Sequence, residues 1–407
     1  MLNRRHLLCC GAAAGLFTAL AGPVRAGLLN PCRRGLPDAL RPLVERTFEG
    51  LDPAQLWDVH THLLGTGDSG SGCTINAQLD QWWHPVEMLR KRVILGAACI
   101  PPDAPSVDRA YAQRLRALAE DFPVGARWML FAFDQACDDA GRPHAGHTTF
   151  HVPDAYAARI AADAPQRFAW VASIHPYRAD ALARLDAALD AGAVALKWLP
   201  SSMNIDLRDA RLRPFYDRLA SARLPVIVHC GEERAVPGAG RDALGNPLLV
   251  RAALEHGVRV VIAHCASLGT ALDLDRKRPR DVPAFALFAR LMDEGWGERL
   301  LGDISVVLQA NRRPEVARTL LTREDWQPRL LHGSDYPLPC IPAAVRLPAL
   351  ASAGLLGADD VLPLQALREH NPLLFDLALK RRARWRGARL LEAVFATRPH
   401  FQRPAGA

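Results

Sequence analysis

The 407-residue sequence has no low-complexity tract, no internal repeat and no long stretch that reads as disordered. With 49% hydrophobic and 23% charged residues, it has the composition of one large folded domain or two ordinary ones. Cysteine is scarce, nine in all and seven if Cys9 and Cys10 leave with a leader. These seven make no zinc-ribbon spacing and are too sparse for a disulfide scaffold. Cys230 and Cys265 directly follow histidines, so on strands they turn to the opposite face as small buried fillers. Cys32, Cys73, Cys99, Cys137 and Cys340 can include a disulfide in an oxidising compartment, with no pair singled out. No apolar run is comfortable as a membrane span, so no integral membrane segment is expected. A Gly-rich phosphate loop is missing too: Gly65-x-Gly67 leads into no clear helix.

The formal charge of +7 is unevenly spread. The first 26 residues hold Arg4, Arg5 and Arg25 with no acid, and setting them aside leaves +4. From Lys380 onward eight Lys/Arg face Glu392 alone, a local +7, so the body between carries −3. That body lacks the basic stripe a nucleic-acid partner requires. The run Lys380–Arg386 reads most simply as the solvated face of a terminal helix, with a membrane-surface or partner role as the alternative. At the other end, Arg4-Arg5 precede an Ala/Gly-rich apolar stretch, and Val24-Arg25-Ala26 offers a small-x-small cleavage site. Residues 1–26 are therefore expected to be an export signal resembling the twin-arginine type, which delivers folded proteins to the periplasm. The alternative is an ordinary secretory signal.

What is present is an alternation of strand-like and helix-like segments. Strands are expected at 56–62, 126–133, 168–175, 194–199, 225–229, 258–264, 301–307 and 329–335. Helical segments separate them, and two more follow at 343–353 and 362–379. Eight β units joined by helices predict an α/β fold, a (β/α)8 TIM barrel over 51–380. It carries an insertion after strand 1 and a C-terminal helical extension, between an N-terminal segment 27–50 and a basic helix or tail 381–407.

Chemistry in such barrels gathers at the C-terminal ends of the strands. His60 and His62 end the first strand, and side chains two apart share a face, which places Asp58 with them. Lys197 ends the fourth strand, His229 the fifth, His264 the sixth and Asp335 the eighth. Each alone has an ordinary explanation: a satisfied histidine, a lysine reaching the loop face, an aspartate capping a turn. Together at one rim they make a transition-metal donor set.

The ordered pieces Asp58-Val59-His60-Thr61-His62, Ala195-Leu196-Lys197, Val226-Ile227-Val228-His229, Ile262-Ala263-His264 and Gly333-Ser334-Asp335-Tyr336-Pro337 resemble the amidohydrolase superfamily, most nearly its amidohydrolase-related branch. His370-Asn371-Pro372 with Phe375 is similar to the family's closing Asn-x-x-x-Phe element. The resemblance covers roughly 51–380 and implies a set of roles. His60, His62 and Asp335 would hold one divalent metal, zinc being expected, and His229 and His264 a second. Lys197, carboxylated by CO2, would bridge the two as a carbamate. A water between the metals would supply hydroxide, with Asp335 taking its proton. Asp58 would either orient a ligand imidazole or be a plain buried aspartate. In the decarboxylases of this branch one metal suffices, and the sixth-strand histidine, here His264, acts in catalysis instead.

The reading that follows is an exported metal-dependent hydrolase of an amide, ester or lactone in a small molecule. A single-metal decarboxylase of an aromatic or unsaturated acid is the alternative; a non-catalytic periplasmic binding protein is the reading from another class. Trp82, Trp83, His84, His175, Trp198, Glu232, Glu233, Arg234, Arg241 and Asp303 are candidates for the barrel mouth. Assembly into a homo-oligomer is left open.

Overall fold

A strand that returns to its sheet through a helix must run parallel to its predecessor, so the alternating pattern commits the chain to a parallel sheet. The computed structural model describes residues 30–402, apart from 82, 102, 234, 235 and 237–239. Eight parallel strands follow one another in chain order: β1 (Trp57–His62), β2 (Arg127–Phe131), β3 (Phe168–Ala172), β4 (Ala195–Trp198), β5 (Val226–His229), β6 (Val260–Ala263), β7 (Leu300–Asp303) and β8 (Leu330–Leu331). The ends of the sheet meet through the backbone. Val59 N–H donates to the His332 carbonyl at 3.1 Å, Asp335 N–H to that of His60 at 2.7 Å, and His62 N–H to that of Tyr336 at 3.1 Å. The expected (β/α)8 barrel is the fold.

Small and branched apolar side chains fill the barrel, among them Val59, Val171, Ile227, Val261 and Leu301, with Phe131 as the largest near the rim. The alternate residues face the helices and join the outer core. β7 and β8 stop short of their expected ends because the backbone leaves the sheet there: Val306 and Asp335 adopt left-handed φ of 51° and 59°. The insertion after β1 contains the helices Pro85–Ala97 and Val107–Glu120. Its Gly-rich loop is wrapped on buried Asp108, whose carboxylate accepts the N–H groups of Thr66, Gly67 and Ser69 and the Ser69 hydroxyl. No helix among the described residues is long and apolar enough to cross a membrane.

The C-terminal part departs from expectation. The last α-helix, Pro372–Arg382, is capped by Asn371, which accepts from the N–H groups of Leu373 and Leu374. It ends where a basic terminal helix was expected to continue. Lys380 is not on a solvated face: it is 1% exposed, donating to the Gly333 carbonyl at 2.5 Å and to Asp376 at 2.6 Å. A short hairpin follows, and the chain then crosses beneath the barrel. Thr397 Oγ1 accepts from Trp57 N–H at 2.8 Å, and Phe401 enters the inner core beside Trp57. Apolar Val394, Phe395 and Phe401 explain the course, since each is buried there.

Cys32 and Cys99 form a disulfide that ties the N-terminal segment to the end of the Pro85–Ala97 helix; Cys73, Cys137, Cys230, Cys265 and Cys340 are free and buried. The bridge closes a loop with a sequence separation of 67. In the chain-entropy description such a loop stabilises the fold by about 4 kcal/mol. Cys99→Ser should therefore lower the thermal midpoint by several degrees, and reductant should do the same to the unmodified protein. An unchanged midpoint in both experiments would contradict the bridge.

Candidate metal centre

Strand alternation carries the inner face from apolar layers to a polar rim in one further pleat. On β4 the inward series is Ala195 then Lys197, on β5 Ile227 then His229, and on β7 Leu301 then Asp303. β1 breaks the rule. Trp57 and Val59 both belong to the inner core, so strict alternation would turn His60 outward. A register shift between Asp58 and Thr61 brings it back, and its ring lies 4.7 Å from that of Phe131.

That shift corrects one expectation. Asp58 does not share a face with His60 and orients no imidazole. Lying between two inward residues, it turns to the helix side, where Oδ1 accepts from Ser334 N–H at 2.8 Å and His60 N–H at 3.1 Å. Burial raises its carboxyl to about 7. The residue that holds His60 is Asp303, whose Oδ2 is 2.5 Å from His60 Nδ1. A proton on Nδ1 donated to Asp303 leaves the Nε2 lone pair aimed at the barrel axis. His264 is arranged alike, with Nδ1 2.7 Å from Ser305 Oγ. It stands at the head of three successive left-handed residues, His264, Cys265 and Ala266, with φ of 55°, 51° and 49°. Tyr111 fixes the other end of the pair by donating its hydroxyl to the His62 carbonyl at 2.7 Å.

These side chains converge on Asp335. Its Oδ1 lies 3.0 Å from His62 Nε2 and 3.5 Å from His60 Nε2, and its Oδ2 is 3.8 Å from His264 Nε2. The rings of His60 and His264 stack at 4.7 Å, and that of His229 stands 5.2 Å from His264. Lys197 Nζ sits 5.0 Å from the centre of the Phe131 ring. All six expected donors therefore reach the same rim. The tightest groups are His60, His62 and Asp335, and His60, His264 and Asp303.

The chemistry of this set fits a divalent metal. Burial, reinforced by the neighbouring charges of Lys197 and the other histidines, holds the His60 imidazole well below its ordinary range. Burial does the same to His264. Both rings are thus neutral, the form that binds a cation. Burial also pushes the Lys197 ammonium down to about 8, against the pull of Asp303 and Asp335. Among the described residues His60 Nε2, His229 Nε2 and Lys197 Nζ are buried without a hydrogen bond. Such atoms cost about 1–3 kcal/mol each when left without a partner. Three of them at one rim, beside carboxylates, make a site built for something else to enter.

The other mouth candidates scatter. Trp198 is fully buried in the outer wall and donates to the Ile174 carbonyl; buried His175 pairs with the Met203 carbonyl. Trp83 is 58% exposed, His84 begins the Pro85–Ala97 helix, and Arg241 pairs with Asp139 at the surface. Trp82 and Arg234 lie outside the described residues. Glu233 does reach the centre, its Oε2 standing 3.3 Å from His229 Nε2. The inward parity of Asp303 with Leu301 is a signal from which its place at the rim was readable.

A family model described as amidohydrolase matches residues 57–340, well over half of the sequence, and the chain belongs to that family. A search of curated proteins finds no match. Solved structures with a similar fold include an uncharacterised TIM-barrel protein from Bordetella bronchiseptica, 17% identical, with 79% of this chain and 99% of that one covered and a TM-score of 0.45. Another is 5-carboxyvanillate decarboxylase from Sphingomonas paucimobilis, 11% identical over 84% of this chain and 95% of that one, TM-score 0.46. A third is 4-oxalomesaconate hydratase from Rhodopseudomonas palustris, 13% identical over 80% and 98%, TM-score 0.38.

Two substitutions test the support of His60. Asp303→Asn, which weakens the hold on Nδ1, should reduce the affinity for an added divalent metal by about 10- to 100-fold, measured by competition with a chromogenic chelator. A Cβ on Gly333 would stand 2.8 Å from His60 Cβ and 2.9 Å from Asp303 Oδ1, so Gly333→Ala should show a comparable loss. Wild-type affinity in both variants would contradict this account of the rim.

Proposed function

We propose that the chain is a metal-dependent hydrolase that cleaves an amide, ester or lactone bond in a small molecule. The observation that carries this reading is the approach of three histidine Nε2 atoms to the one carboxylate of Asp335. His60, His62 and Asp335 would hold one divalent ion, zinc being the expected metal; His229 and His264 would serve a second, and Lys197, carboxylated by CO2, would supply a carbamate to both. When bound, such ions polarise a carbonyl and make water acidic enough to yield hydroxide near neutral pH. Asp303 and Ser305 keep the His60 and His264 rings aimed. Asp335 accepts a proton at a carboxylate oxygen and returns it to the leaving group. Burial lowers the Lys197 ammonium to about 8, which raises the share of neutral amine near neutral pH above that of an exposed lysine, and the neutral amine is the form that adds CO2.

One observation favours the second reading, a single-metal decarboxylase with His264 in a catalytic role. Among the described residues both tight donor groups contain His60, and neither takes in His229. Metal content separates the two: two ions per chain with hydrolytic turnover support the first, one ion with CO2 release the second.

Export to the periplasm belongs to the same proposal. The leader expected in residues 1–26 lies outside the described residues. The Cys32–Cys99 bridge supports an oxidising destination. Cell fractionation of the full chain, with Arg4 and Arg5 both changed to Lys, tests the twin-arginine route; unaltered export would refute it.

Asp335→Asn should nearly abolish turnover on any substrate found in a hydrolase screen, with less effect on the ion held by His229 and His264. Lys197→Ala should lower metal occupancy, and short carboxylic acids should restore part of it. Normal turnover in the first variant would contradict the proton role, and full occupancy in the second would make Lys197 a bystander.

A further inference from the structure

The outer wall of the barrel holds a cavity of about 360 Å3 between helix Val107–Glu120 and helix Asp154–Ala162, which precedes β3. That volume falls within the range of small-ligand sites. Arg109 and Arg116 line it from one face of the first helix, two turns apart, and Arg159 lines it from the second. Arg218, Arg251 and Arg290, on other helices of this layer, each pair with acids. Arg109, Arg116 and Arg159 are exposed and enter no ion pair among the described residues. Arg116 donates to the Asp163 backbone carbonyl at 3.0 Å, and Arg159 lies over the Tyr156 ring, 5.4 Å from its centre. Neither carboxylate at the wall is bonded to them. Asp108 is buried and taken up by the Gly-rich loop, and Asp163 makes no ion pair with any of the three among the described residues. Ile160 and Phe168 add an apolar patch to the lining.

We propose that this hollow is a binding site for a small organic dianion, a molecule with a phosphate or carboxylate end and an apolar body. Like charges gathered around one hollow repel until an anion joins them. A guanidinium fork matches the paired oxygens of phosphate and carboxylate, and it keeps its charge at any physiological pH. The anionic end accepts from Arg109, Arg116 and Arg159, while the apolar body rests on Ile160 and Phe168. The cavity shares no residue with the metal centre, so the proposal stands or falls independently of the reaction assigned there.

The test is calorimetric titration of the metal-free full-length protein with phenyl phosphate and, separately, with phthalate, at one ionic strength set by chloride. Wild type is compared with Arg109→Gln, Arg159→Gln and, as a charge control, Arg213→Gln, an exposed arginine outside this cavity. Saturable binding of at least one dianion is expected, and the one that binds more tightly tells phosphate from carboxylate. Arg109→Gln and Arg159→Gln should each weaken it by about tenfold or more, the weight of a charge-assisted hydrogen bond. Arg213→Gln should bind as wild type. The proposal is overturned if wild type binds neither dianion, or if binding survives intact in Arg109→Gln and Arg159→Gln. Equal losses in all three variants also overturn it, since net charge alone would then attract the anion. Thermal midpoints at low salt give a second readout. Without ligand, Arg109→Gln should melt no lower than wild type, because it removes one of the repelling charges. A clear drop would mark a guanidinium that serves the fold and would refute the site.

Discussion

The seam between the first and last strands does two jobs with one set of backbone hydrogen bonds. Asp335 N–H on the His60 carbonyl and His62 N–H on the Tyr336 carbonyl close the barrel. The same bonds bring a histidine pair and an aspartate separated by more than 270 residues into one cluster. Closure and assembly of the donor set are therefore a single event. The outer side of the seam is braced by charge as well. Asp58 ties β1 to Ser334, and Lys380 on the last α-helix holds the Gly333 carbonyl while paired to Asp376. Breaking a buried pair of this kind by removing one partner typically costs about 3–5 kcal/mol.

The rim is also where the backbone is least relaxed. His264, Cys265, Ala266, Val306 and Asp335 all have positive φ, and the first and last of these carry donor atoms. Conformations of this sort cost on the order of 1–3 kcal/mol each and persist only where surrounding packing enforces them. Here the enforcement is visible. Cys265 Sγ donates to the Asp303 carbonyl, and Ser305 N–H donates to Asp303 Oδ1 at 2.6 Å. Asp303 thus organises the ends of β6 and β7 while holding the ring of His60.

The barrel and the gathering of the six candidate donors at its rim were legible because both depend on periodicity. Eight apolar runs ending in polar residues can close in few ways, and a residue at a strand's C-terminal end has few places to go. What escaped the sequence depends on departures from periodicity or on distance along the chain. The shift between Asp58 and Thr61 inverts the face of His60, and nothing in Trp57-Asp58-Val59-His60 announces it. Lys380 sits in a basic run that looks solvated, yet Asp376 one turn earlier and the Gly333 carbonyl draw it inside. Glu233 was one of three charged residues in a row, and only the turn of the loop after β5 distinguishes it from Glu232. The course of residues 391–401 was hidden for another reason: its anchor, Trp57, lies at the opposite end of the sequence.

That last contact bears on the order of assembly. The floor of the barrel is sealed by Phe401, and the main chain of Trp57 is bonded at both N–H and carbonyl by Thr397, 340 positions later. Strand pairing alone leaves the inner core incomplete, since the segment around Thr397 and Phe401 must dock under β1 before the lowest layer is shut off from water. Ordering of this segment is thus a condition for a dry interior, although it contributes no strand to the sheet.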